Sequence, residues 1–417
     1  MSEGSPLRIV IDARLRDGEP GGVQQVVIGL ASGLSRLPDT HGEQYLFVTW
    51  RGQAAWLRPF VRNACRMVEI RASRLRTVGR WVRGAVGATG ALGTLPSSRV
   101  TVAPGDRTVE ALRADVIHFP TQRAFLTSTP SIYQPHDLQH VHLPHFFSDA
   151  ARQSRDLVYR ACCAQAAIVV VMSRWGRDDI VREYGLPPSK VAVVPWAAML
   201  PEYPVPDEWA IESTKRRYGL PPRFAYFPAH TFPHKNHLGL LAALASLRDT
   251  LGLEVPLVCT GRRNEFYRVI RKSVRDLDLG GQVRFLGFVP PADVNVLYRA
   301  CRAVLFPTLF EGWGLPLGEA FVAGVPIACS RVTCLAEQAD GAARLFDPHS
   351  TSDVARAVAD VWRDEDLRAR LVARGREVAA RLSWDRTAEM FRAHYRKAAA
   401  RPLAPRDIEL LEATPIC

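Results

Sequence analysis

The residues best able to do chemistry lie at 310–320, Phe-Glu-Gly-Trp-Gly-Leu-Pro-Leu-Gly-Glu-Ala. Gly312 and Gly314 carry no Cβ, so backbone there can come close to a ligand. Pro316 suits the first turn of a helix, where its missing N–H costs nothing. A helix entered at Leu315 would leave N–H groups free ahead of it and turn the positive end of its dipole toward an anion. Glu311 and Glu319 flank the turn, with Trp313 between them. Two carboxylates would repel a phosphate, so they suit hydroxyl groups, which a sugar or a ribose offers. A second segment, 227–237, reads Phe-Pro-Ala-His-Thr-Phe-Pro-His-Lys-Asn-His. Here a strand ends, a turn follows and Asn236 opens a helix. Lys235 then offers a compact ammonium charge to a pyrophosphate. His230 can donate to phosphate but has no bidentate fork and need not be charged at neutral pH. Arg262 or Arg263 after the next strand, and His234, are further phosphate candidates. Gly21 and Gly22 follow the first strand and would bring backbone N–H groups to a donor or acceptor, besides allowing a tight turn. His118 ends one strand, where its side chain could face a cleft. His136 and Asp137 end the next, followed by His140, His142 and His145. A histidine-rich metal site is the rival reading of that group, but no Asp-x-Asp stands near it, and no metal ligand is assigned.

Strands alternating with helices would have to position these residues, which predicts parallel sheets covered on both faces. Strands are expected at 7–12, 43–50, 114–119, 131–134, 168–172 and 191–194. Helices are expected from Gly22 to about residue 37 and over 146–166, with Ser173 capping another. Pro201, Pro204 and Pro206 mark a linker. A second series follows, with strands at 224–227, 255–259, 283–285, 304–306 and 327–329. Residues 350–400 read as helix almost throughout, and the tail from Arg401 reads as frayed. The expected fold class is α/β, with two Rossmann-like doubly wound domains facing each other across a cleft. Open α/β sheets bind ligands beyond the carboxyl ends of their strands, so two such edges would make one deep cleft. The expected division is 1–205, 206–385 and 386–417, the last returning as a helix toward the first domain with a frayed tail.

Inside Glu-Gly-Trp-Gly-Leu-Pro-x-x-Glu, between a strand and a helix, the two acids resemble the E-x7-E signature of glycosyltransferase family 4, retaining enzymes of the GT-B fold. The resemblance extends to Gly21-Gly22-Val23, residues 116–119, residues 131–147, the Ser173 helix, residues 191–195 and the Lys235 region. It implies that 1–205 binds the acceptor and 206–385 the nucleotide-sugar, that Glu311 contacts hydroxyls of the donor sugar and that Glu319 holds the ribose. It implies that Lys235 stabilises the leaving diphosphate and that His118 approaches the donor sugar. Family members usually carry an arginine where this chain has His230. The His-Lys-Asn-His version of the segment is similar to a branch that often uses mannose donors. The implied activity is metal-independent, retaining transfer of a sugar, mannose favoured, to a hydroxyl of a saccharide or lipid-linked saccharide, as in bacterial surface polysaccharide synthesis. The donor is a substrate rather than a cofactor: GDP-mannose is favoured, with a UDP-sugar as the alternative. The leaving phosphate would help deprotonate the acceptor on the same face of the sugar. The competing functions are a sugar phosphorylase or nucleotide-sugar epimerase on the same fold, or a non-catalytic membrane-associated scaffold.

Composition bounds these readings. The chain has 417 residues, 47% hydrophobic and 23% charged, as a folded globular protein does. Its net charge of +12 favours an anionic partner without choosing one. Arg58, Arg62, Arg66, Arg71, Arg74, Arg76, Arg80 and Arg83 are opposed in their stretch by Glu69 alone. With Leu75, Val78, Trp81 and Val82 among them, they read as a basic amphipathic segment suited to an anionic membrane surface. No nucleic-acid-binding motif stands out. Eight cysteines without C-x-x-C spacing, a polar N-terminus and no apolar run near ~20 residues lead to the expectation of a cytoplasmic protein, peripheral at most on the inner face of the cytoplasmic membrane.

Overall fold

A computed structural model describes residues 6–16, 22–38, 42–71 and 106–413. Gly21 and the arginines at 74, 76, 80 and 83 lie outside them. Short aliphatic runs build two parallel sheets. In the first sheet β1 (Arg8–Asp12), β2 (Gln44–Trp50), β3 (Cys65–Ile70), β4 (Val116–Phe119), β5 (Ser131–Tyr133), β6 (Ile168–Val171) and β7 (Val191–Val193) lie in the order β3-β2-β1-β4-β5-β6-β7. In the second, β8 (Ala225–Pro228), β9 (Leu257–Thr260), β10 (Val283–Gly287), β11 (Ala303–Phe306), β12 (Ile327–Ser330) and β13 (Arg344–Phe346) lie in the order β10-β9-β8-β11-β12-β13. All pairings are parallel, with β1 reading against β4 as Ile9–Val116 and Ile11–His118. Ile-Val-Val-Val of β6 and Ala-Val-Leu-Phe of β11 are buried throughout, as strands covered on both faces must be. These are the two doubly wound Rossmann-like units of a GT-B fold.

The helices that matter for the site are α1 (Gly22–Arg36), α2 (Gln139–His142), α3 (Asp149–Gln165), α4 (Arg174–Tyr184), α5 (Glu208–Tyr218), α6 (His237–Leu251), α7 (Tyr267–Asp276), α8 (Pro291–Ala300), α9 (Leu315–Ala323), α10 (Leu335–Ala339), α11 (Thr351–Arg363), α12 (Glu365–Ala379), α13 (Trp384–Ala398) and α14 (Pro405–Glu412). The Ser173 hydroxyl caps α4 by accepting from the Gly176 N–H. The prolines after residue 200 form a short 3-10 turn and an extended passage into α5.

Two strands escape the sequence reading, β3 and β13, because both are half-polar and, among the described residues, stand at the edges of their sheets. On β3 the exposed Arg66 and Glu69 blunt the edge of the first sheet. Where the basic stretch 58–83 can be followed it is not a helix: Arg58 opens a 3-10 turn and bonds Glu69 at 2.9 Å, and Arg66 sits in a strand. The remainder of that segment falls outside the described residues.

The C-terminal part also differs from expectation, because the tail does not fray. Past α12 the chain returns to the first sheet, where α13 packs along α1. Gly29 and Gly33 of α1 give the Trp384 side chain and backbone their space. Trp384 Nε1 donates to the Ala198 carbonyl at 3.2 Å, and Thr387 Oγ1 to that of Pro195 at 2.8 Å. The Arg396 guanidinium then joins Glu43 at 2.7 Å and Asp407 of α14 at 2.6 Å, all three side chains nearly inaccessible. Leu410 seals α14 down.

Candidate active site

The carboxyl ends of β8, β9 and β11 converge on one place. After β8 the chain runs through His230 to a 3-10 turn ending in Lys235, and Asn236, in the left-handed region at φ 59°, caps α6 through its side chain. After β11 it runs through Thr308 and Leu309 to the 310–314 turn. The two loops are joined by backbone: Leu309 N–H donates to the His234 carbonyl at 2.7 Å, and Thr308 Oγ1 to the same oxygen at 3.2 Å. This brings Lys235 Nζ to 2.6 Å from Glu311 Oε1, with both side chains largely buried and the ammonium 5.5 Å above the Phe306 ring. Burial pushes the Glu311 carboxyl up from the usual carboxylate range, and the Lys235 charge pulls it back.

Glu319 lies on α9, one helix turn and more beyond the loop. Burial pushes its carboxyl up to about 7, offset in part by the Tyr298 hydroxyl of α8. His230 has a definite tautomer. Its Nδ1 accepts the Arg262 N–H at 2.7 Å, so in the neutral ring the proton sits on Nε2. Burial and the neighbouring Lys235 and Arg262 charges lower its pKa to about 4, leaving a neutral N–H donor at physiological pH. Gly261 lets the two loops touch: at φ 120°, a Cβ there would overlap the Ala229 carbonyl. The Arg262 guanidinium rests 5.2 Å over the Phe288 ring, while Arg263 is spent on the Phe285 carbonyl at 2.8 Å. His234 is held neutral by burial and stacks on Phe232.

The 310–314 turn reaches the first sheet. A Cβ on Gly312 would overlap the His136 carbonyl and lie 3.0 Å from Asp137 Cβ, so only glycine permits this approach. Trp313 packs into the hydrophobic cluster of the first unit beside Trp196, and Leu315 lies against Gly22. His136, at φ 68°, gives its Nε2 to the Pro120 carbonyl at 2.9 Å and sets its ring edge-on to Trp196. His136 and Asp137 therefore stand opposite Glu311, whereas His118 does not. In β4 the pleat sends His118 to the face shared with Val116, under α13. There its Nδ1 meets the Tyr395 hydroxyl at 2.7 Å, its Nε2 meets Gln134 Oε1 at 2.8 Å, and its ring packs 4.8 Å from Phe391. Fully buried, with burial lowering its pKa to about 3, it is a neutral core group, and the expectation that it faces the cleft is corrected.

Another correction concerns the helix entrance. The Gly314 N–H is taken by Gln338 Oε1 at 2.9 Å, while Gln338 Nε2 donates to the Gly314 carbonyl at 3.0 Å. Thr333 Oγ1 similarly donates to the Glu311 carbonyl at 2.7 Å and accepts its N–H at 3.3 Å. No spacing rule marks Thr333 or Gln338; they follow β12, and only the fold puts them behind the turn. Among the described residues, His142, Asp179 and Glu183 approach as metal ligands might, but Asp179 is already bonded to Arg182 and to His142 at 2.8 Å.

Comparison with known proteins bears on both units. Residues 20–197 match the model described as Glycosyltransferase Family 4, and 211–378 the model described as Glycosyl transferases group 1. The O-antigen chain mannosyltransferase B of Escherichia coli is 27% identical over 224 residues, 53% of this chain and 58% of that protein. The D-inositol 3-phosphate glycosyltransferase of Corynebacterium glutamicum is 28% identical over 259 residues, 60% of this chain and 61% of that protein. The matches thus span under two thirds of those relatives' own lengths. Among solved structures, sucrose-phosphate synthase from Thermosynechococcus elongatus aligns over 94% of this chain and 99% of its own with a TM-score of 0.70 at 18% identity. Anabaena HepE, solved with UDP and glucose, aligns over 92% of this chain and 98% of its own with a TM-score of 0.68 at 17% identity.

Proposed function

The chain belongs to glycosyltransferase family 4, and from that premise we propose that it moves a sugar, mannose favoured, from a nucleotide-sugar to a hydroxyl of a saccharide or lipid-linked saccharide, with retention at the anomeric carbon. The observation that carries the reading is the largely buried Lys235–Glu311 pair, which ties the β8 loop to the turn that reaches the first unit. The name of the Escherichia coli relative, an O-antigen chain mannosyltransferase, supports mannose and a surface polysaccharide. HepE, solved with UDP and glucose, supports a nucleoside-diphosphate sugar as donor; with mannose favoured, that donor is GDP-mannose, and a UDP-sugar is the alternative.

In this reading Glu311 accepts hydroxyls of the donor sugar and Glu319 those of the ribose. As the sugar–phosphate bond lengthens, negative charge grows on the leaving diphosphate. Lys235 meets it as a cation and His230 as a neutral N–H donor, both preset by loop geometry. Arg262 beside Phe288 supplies a further positive edge. Because Lys235 bears the diphosphate charge, turnover should persist in a chelator. His136 and Asp137 present the first unit's side of the gap, where the acceptor hydroxyl would be aligned with the donor. The leaving phosphate takes its proton. Acceptors carried on lipid would be met at an anionic inner membrane face by the arginine-rich stretch 58–83. Among the described residues, no helix is long and apolar enough to cross a membrane.

The test is acceptor-dependent release of nucleoside diphosphate, with the anomeric configuration of the product read by NMR. Release that requires acceptor, with a retained configuration, supports transfer. Phosphorolysis, epimerised donor without release, or no turnover with any donor overturns it.

A further inference from the structure

The 310–314 turn is held at both ends by groups that answer to the other unit. At its first residue, the Phe310 ring stacks on His142 of α2 at 5.3 Å and meets Trp175 of α4 edge-on at 5.6 Å. His142 is itself fixed, its Nε2 lying 2.8 and 3.0 Å from the two oxygens of the buried Asp179. At its last residue, Gly314 is gripped through N–H and carbonyl by Gln338 of α10. The residue before Gln338 faces the opposite way. Glu337 Oε1 accepts the Arg174 N–H at 2.9 Å, and its Oε2 accepts the Trp175 N–H at 3.0 Å, with Arg174 Nε at 3.2 Å. A helix leaves its first N–H groups without internal partners. In α4 the Gly176 N–H is served by Ser173 of its own unit, and the two before it by a carboxylate from the other.

We propose that Glu337 is a positioning residue that couples approach of the two units to the geometry of the donor turn. Both sides of the coupling sit on one short rigid element. If α4 moves away from α10, Glu337 loses two charge-assisted hydrogen bonds at a helix N-terminus, which also loses its counter-charge. Any tilt of α10 that keeps those bonds drags Gln338, and with it the Gly314 peptide. Phe310 feels the same motion from Trp175, which lies on the helix Glu337 holds. The turn carrying Glu311 is thus gripped at its two ends by contacts that form together. Glu337 touches no substrate; it acts through Gly314 and Phe310.

The inference rests on the sugar-transfer reading for its kinetic arm and not for its structural arm. Glu337→Ala and Glu337→Gln would be compared with wild type in small-angle scattering with bound nucleoside diphosphate, and in steady-state turnover. The expected result for Glu337→Ala is a larger radius of gyration in the nucleotide-bound protein and a kcat lower by about tenfold or more, since small misplacement at a reacting centre costs up to ~10²-fold. The donor KM should change by less than about threefold, because the groups contacting nucleotide remain. Glu337→Gln keeps an accepting oxygen without the charge and should fall between. Its lesser disturbance also keeps the test alive should the alanine variant fold poorly. A wild-type radius overturns the coupling, whatever the rate. So does an equal loss in both variants that follows a drop in melting temperature, which would mark Glu337 as an ordinary helix cap. If wild type itself transfers no sugar, the functional reading fails, and the scattering arm still decides whether Glu337 holds the units together.

Discussion

Lys235 and Glu311 neutralise each other in the structure, so each variant leaves a buried charge as well as removing a contact. Lys235→Ala should lower kcat by roughly 10²–10³-fold, the range for loss of one preset charge-stabilising group. Glu311→Gln keeps the shape and should chiefly weaken the donor KM. Rapid-quench and steady-state kinetics separate the two. Glu319 makes a prediction about pH. Its carboxyl is raised from 4.5 to about 7, so between those values the folded protein holds a proton that the unfolded chain releases. Its contribution to stability is whole below about pH 4.5 and is lost as pH rises through about 7. Glu319→Gln should therefore flatten the decline of melting temperature over that window, as scanning calorimetry at stepped pH would record. These acids and the lysine were legible because glycine, proline and loop position advertise them. His118 misled because the sequence shows where a strand ends but not which way its pleat points. The pair behind the turn, Thr333 and Gln338, could not be read at all, since their partners are backbone atoms more than twenty residues away.

The element that most constrains the fold is α13, lying against α1. A Cβ at position 33 would press on Trp384 backbone, at 2.8 Å from its carbonyl carbon, and helix backbone cannot step aside as a side chain can. Gly33→Ala should gain about 1 kcal/mol in helix propensity and lose about 3 kcal/mol to overpacking against backbone, so urea denaturation should show a net loss of about 2 kcal/mol. Arg396→Ala strands Glu43 and Asp407, which are 3% and 0% exposed, and should cost about 3–5 kcal/mol by the same assay. The central strands were recognisable because both faces are buried and the residues are continuously apolar. The edge strands β3 and β13 carry arginines that belong equally to a loop. The terminal helix α14 escaped because proline and charge at its start resemble a disordered tail, while its anchor, Asp407, has its partner on α13.

At the scale of the molecule, a ligand that bridges both units should stabilise the folded chain by mass action. At a hundredfold excess over its Kd the gain is about 2.7 kcal/mol. Thermal-shift measurements against GDP, UDP and ADP should therefore single out one base, with the Lys235→Ala response much reduced. The net charge of +12 predicts binding to anionic vesicles that weakens steeply with salt, measurable by co-sedimentation. Two domains and a cleft were evident from the repeated strand–helix rhythm and the prolines near 201–206. How the units meet was not, because Gly312 against His136 and Glu337 against α4 are contacts between segments far apart in the chain.

The polypeptide passes between the two sheets twice, outward through the prolines beyond Ala198 and back between Ala379 and Trp384, where the bond from Trp384 to Ala198 lays the passages side by side. A joint made from one strand swivels in every direction; a joint made from two parallel strands folds about a single axis and resists twisting. Two crossings laid side by side therefore confine any separation of the two units to one hinge axis, like a book on its spine.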